Sequence, residues 1–239
     1  MKDHLPKTRL IISSLSFLFF LIKMIYPKGP TELAQVDSDE YESSIVGENE
    51  LGSVHLHGPF GDKDSKVKIA YVIGMHPLES KSHRALFEQL TSKEDLKYCY
   101  YLYNINVTDK ASQTEGRLEG QLLAQEFIKD EIINKKYDLF LDIHSNRGPQ
   151  GPGDYRITNF VFAPGFDDKS SGFMNQIIDN IDEIVYYAPE FRSSPPYITE
   201  PTADAGIATL VYECYSFEEF EVSCDLARKL VNVVDGLDF

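Results

Sequence analysis

The sequence predicts one α/β domain built on a mainly parallel, mixed sheet flanked by helices. Three observations carry that prediction. Between residues 67 and 143, apolar β-branched runs alternate with helical patterns in the order strand, helix, strand, helix, strand. Such alternation implies parallel strands joined by right-handed crossovers. The runs 67–73 and 137–143 (YDLFLDI) are almost continuously apolar, as strands buried on both faces are. The chain has 239 residues, enough for one such domain with a full-sized core and a short extension.

The N-terminus reads as that extension. Residues 1–9 are net basic, and 10–22 (LIISSLSFLFFLI) are uncharged and rich in Leu, Ile and Phe. A full helical span needs ~20 residues, so this run is short unless Lys23 snorkels and extends it towards Tyr26. The preferred reading of 1–26 is a signal anchor with its basic end inside, ahead of a cleaved signal segment. Either places the following domain outside the cytoplasm, tethered through residues 10–26 or secreted. Residues 27–51 are acidic, bear Ser and Pro, and lack sustained periodicity. They read as a flexible linker, with the folded domain over 52–239.

Within the domain, 54–60 (VHLHGPF) reads as an edge strand with His55 and His57 half-exposed on one face. The strand at 67–73 leads past Gly74 to a helix over 78–91. Residues 98–107 (YCYYLYNINV) are aromatic and β-branched, hence a strand, and 115–134 carries apolar residues at helical spacing. After the 137–143 strand comes a Gly/Pro-rich loop, then a short strand at 159–163 and a helix over 169–184. A further strand starts near 184–187, followed by an irregular Pro-rich stretch, 190–204, that would rim a site. A buried strand at 206–213 and a closing helix over 217–234 finish the domain.

Composition narrows the function. Lys and Arg total 23 against 38 Asp and Glu, a net charge of −15, which opposes binding to nucleic-acid phosphates. Three cysteines, Cys99, Cys214 and Cys224, give neither a disulfide framework nor a Cys-x-x-Cys metal signature. One pair could bridge in an oxidising compartment. Phosphate-binding and dinucleotide glycine motifs are absent, as is a Gly-x-Ser-x-Gly elbow. Asn106-Val-Thr108 has only the form of a glycosylation sequon.

The chemistry concentrates at strand ends. His76 and Glu79 stand where the 67–73 strand hands over to a helix, and at i, i+3 they can share one face of a first turn. His144 follows the 137–143 strand. In open α/β sheets ligands bind beyond the carboxyl ends of strands, so all three residues fall at that kind of position. Two imidazoles and a carboxylate are the three protein ligands of an open zinc site. Glu213 ends the late strand. Its position leaves two readings: a general base raised in pKa by apolar surroundings, or a surface carboxylate beside the acidic Glu218, Glu219 and Glu221.

Together His76-x-x-Glu79, Asp142-Ile-His144 and Glu213 resemble the zinc carboxypeptidase superfamily, near its succinylglutamate desuccinylase and aspartoacylase branch. The resemblance covers roughly residues 66–239. It implies a zinc carboxypeptidase-like fold and one Zn2+ per chain, ligated by His76, Glu79 and His144, with Glu213 taking a proton from the attacking water. The reaction implied is hydrolysis of an amide or peptide bond, in a small peptide, a cell-envelope peptide or an N-acyl amino acid. Asp142, two residues before His144, would orient a histidine or stay a core-paired or solvent-directed carboxylate. Arg117 matches the family's arginine in chain order, and Asn146-Arg147 offers an Asn-Arg pair beside the metal, although the family's pair precedes the second His. Arg117 and Arg147 are both candidates for the oxyanion or a substrate carboxylate, with Asn146 beside them as a substrate contact. The short stretch between Glu79 and His144 favours a minimal, deacylase-like variant. Tyr197 and Tyr215 are candidates for a tyrosine near the scissile bond, and His83 reads as a helix-face residue rather than a fourth ligand. The rival is a catalytically silent relative that binds a peptide or envelope component, which would be expected to lose a ligand or the base.

Overall fold

The computed structural model describes residues 41–108, 113–151, 155–165, 167–190 and 192–239. Residues 10–26, expected as a signal anchor, and the expected linker up to residue 40 lie outside the described residues. Among those described, no helix is long and apolar enough to cross a membrane.

Among the described residues eight strands form one mixed sheet: β1 Ser43–Asn49, β2 Gly52–Gly61, β3 Lys68–Ile73, β4 Cys99–Val107, β5 Leu139–Asn146, β6 Phe160–Phe162, β7 Val185–Tyr186 and β8 Ala208–Tyr215. Their order is β1-β2-β4-β3-β5-β8-β6-β7. The centre, β4-β3-β5-β8, is parallel throughout, and antiparallel pairings attach β1, β2 and β6. Every residue of β5 is buried, which explains why its sequence reads as an unbroken apolar run.

Among the described residues six α-helices cover the sheet: α1 Ser80–Thr91, α2 Gln113–Leu123, α3 Lys129–Lys135, α4 Asp168–Asn180, α5 Thr199–Asp204 and α6 Phe220–Asp235. One face carries α1, α4 and α6; the other carries α2, α3 and α5. On the second face Val72, Tyr103 and Phe140 of the strands pack against Leu123, Ile128 and Ile132. The helix expected over 115–134 is interrupted by a π turn, Ala124–Ile128, whose Phe127 ring lies where a Cβ on Gly47 would be, at 2.1 Å. A side chain at position 47 would push β1 off the helix.

Three expectations are corrected. Residues 43–49 are not linker but the edge strand β1. Most of β1 is exposed and it is held by ladder bonds to β2, so it lacks the apolar alternation by which strands are found. With β1 outside it, β2 is an interior strand, and His57 is buried against the rings of Tyr41 and Phe87 rather than half-exposed. Finally, 190–204 contains a 3-10 turn, Pro195–Tyr197, and α5. The cysteines are all free.

The chain leaves β3 through α1 to β4 on one side, and β5 lies on the other side of β3. This reversal is a topological switch point, where a crevice opens at the strand ends. Pairing between β3 and β5 stops at Val72↔Asp142, while β5 and β8 stay paired to Asn146↔Tyr215. The crevice is that gap.

Candidate metal centre and its pocket

His76 follows Gly74, whose φ of +85° turns the chain out of β3 and whose missing Cβ lets it sit against Ile105 O. Pro77 then opens a 3-10 turn, Pro77–Glu79. On the far side, α2 approaches so closely that a Cβ on Gly120 would lie 1.9 Å from Met75 O. Glycine there lets the helix pin the turn that presents His76 and Glu79. His144 sits in β5, in register with Glu213 of β8.

These elements bring the three expected donors together. Ligand atoms of His76, Glu79 and His144 all lie within 4.8 Å of one another, and all three residues are buried. Each histidine turns Nδ1 to the same carboxylate: His76 to Glu79 Oε1 at 2.9 Å, His144 to Oε2 at 3.0 Å. Arg117 Nη1 donates to Oε1 at 2.7 Å, and the Ser145 N–H donates to Oε2 at 3.0 Å. Burial by itself would raise the pKa of Glu79, but the two imidazoles outweigh it and hold the carboxyl well below its ordinary range.

The far ring nitrogens differ in company. Gln121 Nε2 lies 3.2 Å from His76 Nε2 and also donates to Ser193 Oγ at 3.1 Å. Asp142 Oδ2 lies 2.8 Å from His144 Nε2, off the line of a hydrogen bond, and neither oxygen of this fully buried carboxylate has an aligned partner. Burial lowers the pKa of His76 to about 4, against the pull of Glu79. Burial also works against the charged form of His144, but Asp142 and Glu79 overcome it and raise the pKa well above the usual value.

The arrangement fits a divalent cation. The Glu79 carboxylate stands between the two imidazoles. Behind His144 neither oxygen of the buried Asp142 carboxylate has an aligned hydrogen-bond partner, a costly state for a buried carboxylate unless positive charge is drawn to the ring it faces. Two imidazole nitrogens and a carboxylate are the donor set zinc takes in an open site, and the partner groups at the far nitrogens are what such ligands carry.

The cavity beside these donors is lined by Glu213, Arg117, Arg147 and Tyr155 among others. It holds about 50 Å³ of water-accessible space. That is too little to enclose a ligand of ordinary size, which takes about 300 Å³ or more; only a small group could enter while the rest lay across the mouth. Burial, and then the charge of Glu79, push Glu213 up to about 8. Of the two sequence readings of Glu213, this is the cavity carboxylate. Asn146 also lines the cavity, but its amide is spent within the protein. Nδ2 donates to Thr158 O at 2.9 Å and to Glu213 Oε2 at 3.1 Å, while Oδ1 accepts from the Gly148 N–H at 3.0 Å. Asn146 therefore stands on the cavity wall with its amide engaged by Glu213 and two backbone groups. Arg147 keeps its guanidinium free of any hydrogen bond or ion pair among the described residues, and Arg117 is tied to Glu79.

Among the described residues, no other group of three or more His, Cys, Asp and Glu side chains converges. His83 is no ligand: it lies buried on α1 with both ring nitrogens on backbone groups. Tyr155, not Tyr197 or Tyr215, lines the cavity, its pKa raised to about 12 by burial and Glu213. The sequence reading missed Gln121 and Tyr155. Gln121 stands one helical turn after Arg117, so its shared face was a usable signal; Tyr155 follows a Gly/Pro-rich loop that carries none.

No protein-family model matches the sequence, and no curated protein matches it. Solved structures do resemble the fold. A metallo-carboxypeptidase from Burkholderia cenocepacia is 14% identical with a TM-score of 0.53, over 84% of this chain and 65% of its own. A Pseudomonas aeruginosa metallo-carboxypeptidase, in complex with (2-guanidinoethylmercapto)succinic acid, is 15% identical with a TM-score of 0.52, over 83% and 64%. The cell shape determinant Csd4 of Helicobacter pylori, solved with product bound, is 12% identical with a TM-score of 0.50, over 81% and 54%. The chain thus has the metallo-carboxypeptidase fold and spans less than two thirds of the length of these three proteins.

Proposed function

We propose that this protein is a zinc-dependent hydrolase of an amide or peptide bond, carboxypeptidase-like or an N-acyl amino acid deacylase. One observation supports the reading above others: the His76, Glu79 and His144 donors converge at the cavity that Glu213 and Arg147, unpaired among the described residues, also line. A silent relative would be expected to lack one of these.

Zinc held by His76, Glu79 and His144 would supply Lewis acidity, bringing the pKa of water towards ~7 and polarising the scissile carbonyl. The chain's own groups do the rest. Glu213 takes a proton from the attacking water and delivers it to the leaving nitrogen, a role supported by its place on the cavity wall beside the three donors. Asn146 holds the Oε2 of Glu213 in place. Arg147 offers two parallel N–H groups to a substrate carboxylate or to the developing oxyanion, and Arg117 fixes the Glu79 carboxylate. The same reading has the domain act outside the cytoplasm, tethered through residues 10–26, or secreted if that segment is cleaved.

The test is metal content of the purified full chain beside His76→Ala, followed by hydrolysis of N-acyl amino acids and envelope peptides beside Glu213→Gln. About one zinc per chain, lost in His76→Ala, with hydrolysis lost but zinc kept in Glu213→Gln, is the expected result. No metal in the wild type after zinc is supplied and the excess removed would refute the mechanism and leave a peptide-binding module.

A further inference from the structure

The crevice between β3 and β5 has a floor that neither strand supplies. Below it the strands are laddered through Val72↔Asp142. Above that rung the Gly74 N–H and the Ile143 C=O do not meet each other. Gly74 N–H donates to His83 Nδ1 at 3.3 Å, and His83 Nε2 donates to Ile143 O at 3.0 Å. A direct rung is ~2.9 Å long; here two hydrogen bonds and the width of an imidazole take its place. Since Gly74 can only donate and Ile143 can only accept, the ring is fixed as the neutral Nε2–H tautomer. The side chain is 2% exposed.

One level further up, the Glu79 carboxylate fills the same gap. It spans from His76 Nδ1 on the β3 side to His144 Nδ1 and the Ser145 N–H on β5. Were the strands paired one rung higher, that carboxylate would have no room between the two histidines. We propose that His83 is a positioning residue, inserted as a spacer rung between β3 and β5, which sets the width at which His76, Glu79 and His144 converge on one cation. The consequence for metal binding rests on the zinc reading above; the spacer itself does not.

The test uses the full chain with His83→Leu, which cannot bridge, and His83→Gln, whose amide can accept from Gly74 and donate to Ile143. Zinc affinity is measured by competition with a chromophoric chelator, beside thermal unfolding of the metal-free proteins and the imidazole nitrogen spectrum of the wild type. We expect His83→Leu to bind zinc about 10- to 100-fold more weakly, the usual loss when support behind a ligand is removed, with His83→Gln recovering most of it. The wild-type spectrum should show the Nε2–H tautomer. A residue that merely packs would lower the unfolding temperature without changing the zinc affinity of the folded protein. Wild-type affinity in His83→Leu would overturn the spacer, as would equal losses in the two variants. Should His83→Leu fail to fold, His83→Gln and the tautomer decide, and an Nδ1–H ring would also overturn it. A wild type that takes up no zinc overturns the metal reading, and the tautomer then decides the spacer by itself.

Discussion

His76 and His144 both turn Nδ1 to Glu79, at 2.9 and 3.0 Å, but their far nitrogens meet a neutral amide in one case and a carboxylate in the other. The ring beside Gln121 is held neutral by burial; the ring beside Asp142 is pushed to keep its proton. Both are buried, so the difference comes from the partner, not from desolvation. A cation entering this centre meets one neutral imidazole and one that must give up its extra proton.

The largest expected effect comes from removing what the two histidines share. Glu79→Gln should abolish stoichiometric zinc binding, read by mass spectrometry of metal content; retention of one zinc per chain would break the ligand assignment. Next is the base. Glu213→Gln should cut hydrolysis by about 10²- to 10⁴-fold, the usual contribution of general acid–base catalysis, with zinc content unchanged. The same variant carries a stability signature. The Glu213 pKa rises from 4.5 to about 8 on folding in the metal-free protein, so its stabilising term is full below the unfolded value and lost as pH rises through the folded one. Metal-free Glu213→Gln should therefore gain on wild type by a few kcal/mol between acid and pH 9, measured by denaturant unfolding at both ends. A gap independent of pH would place the residue's ionisation outside the fold's energetics.

The comparison itself is sharpened by exchanging partners. Asp142→Asn makes the two histidines alike and should weaken zinc by about 10- to 100-fold, whereas Gln121→Met, which removes a neutral contact, should cost less. Equal losses would show that the carboxylate adds nothing beyond orientation. The smallest effect is on pH dependence. Because the pKa of His144 is raised, its proton competes with zinc above the ordinary histidine range, so wild-type affinity should climb with pH through that range. Asp142→Asn lowers that pKa and should move the climb to lower pH, followed by chelator competition at constant ionic strength.

Within this centre, one half was legible in the sequence and the other only in part. The His76–Glu79 pair is a local matter: i, i+3 spacing after a buried strand and a proline fixes both side chains on one turn. His144 and Glu213 were found because strand ends are where such sheets bind ligands, and they stand side by side in register. The hydrogen bonds of Asn146 are not legible in the sequence, because its three partners lie on a turn, a loop and a neighbouring strand. β1 was missed because an exposed edge strand carries no apolar alternation.

By itself, then, the sequence determined the α/β class, the order of the central elements, the three donors and the carboxylate beside them, because each follows from periodicity or short-range spacing along the chain. The tertiary structure decided which partner stands behind each histidine, that Asn146 is hydrogen-bonded to Glu213, that Arg147 stays unpaired among the described residues, and that the His83 ring bridges the ends of β3 and β5. Those contacts join residues far apart in the chain. Sheet register and the close docking of α2 at Gly120 set them, and neither leaves a repeating mark on the sequence.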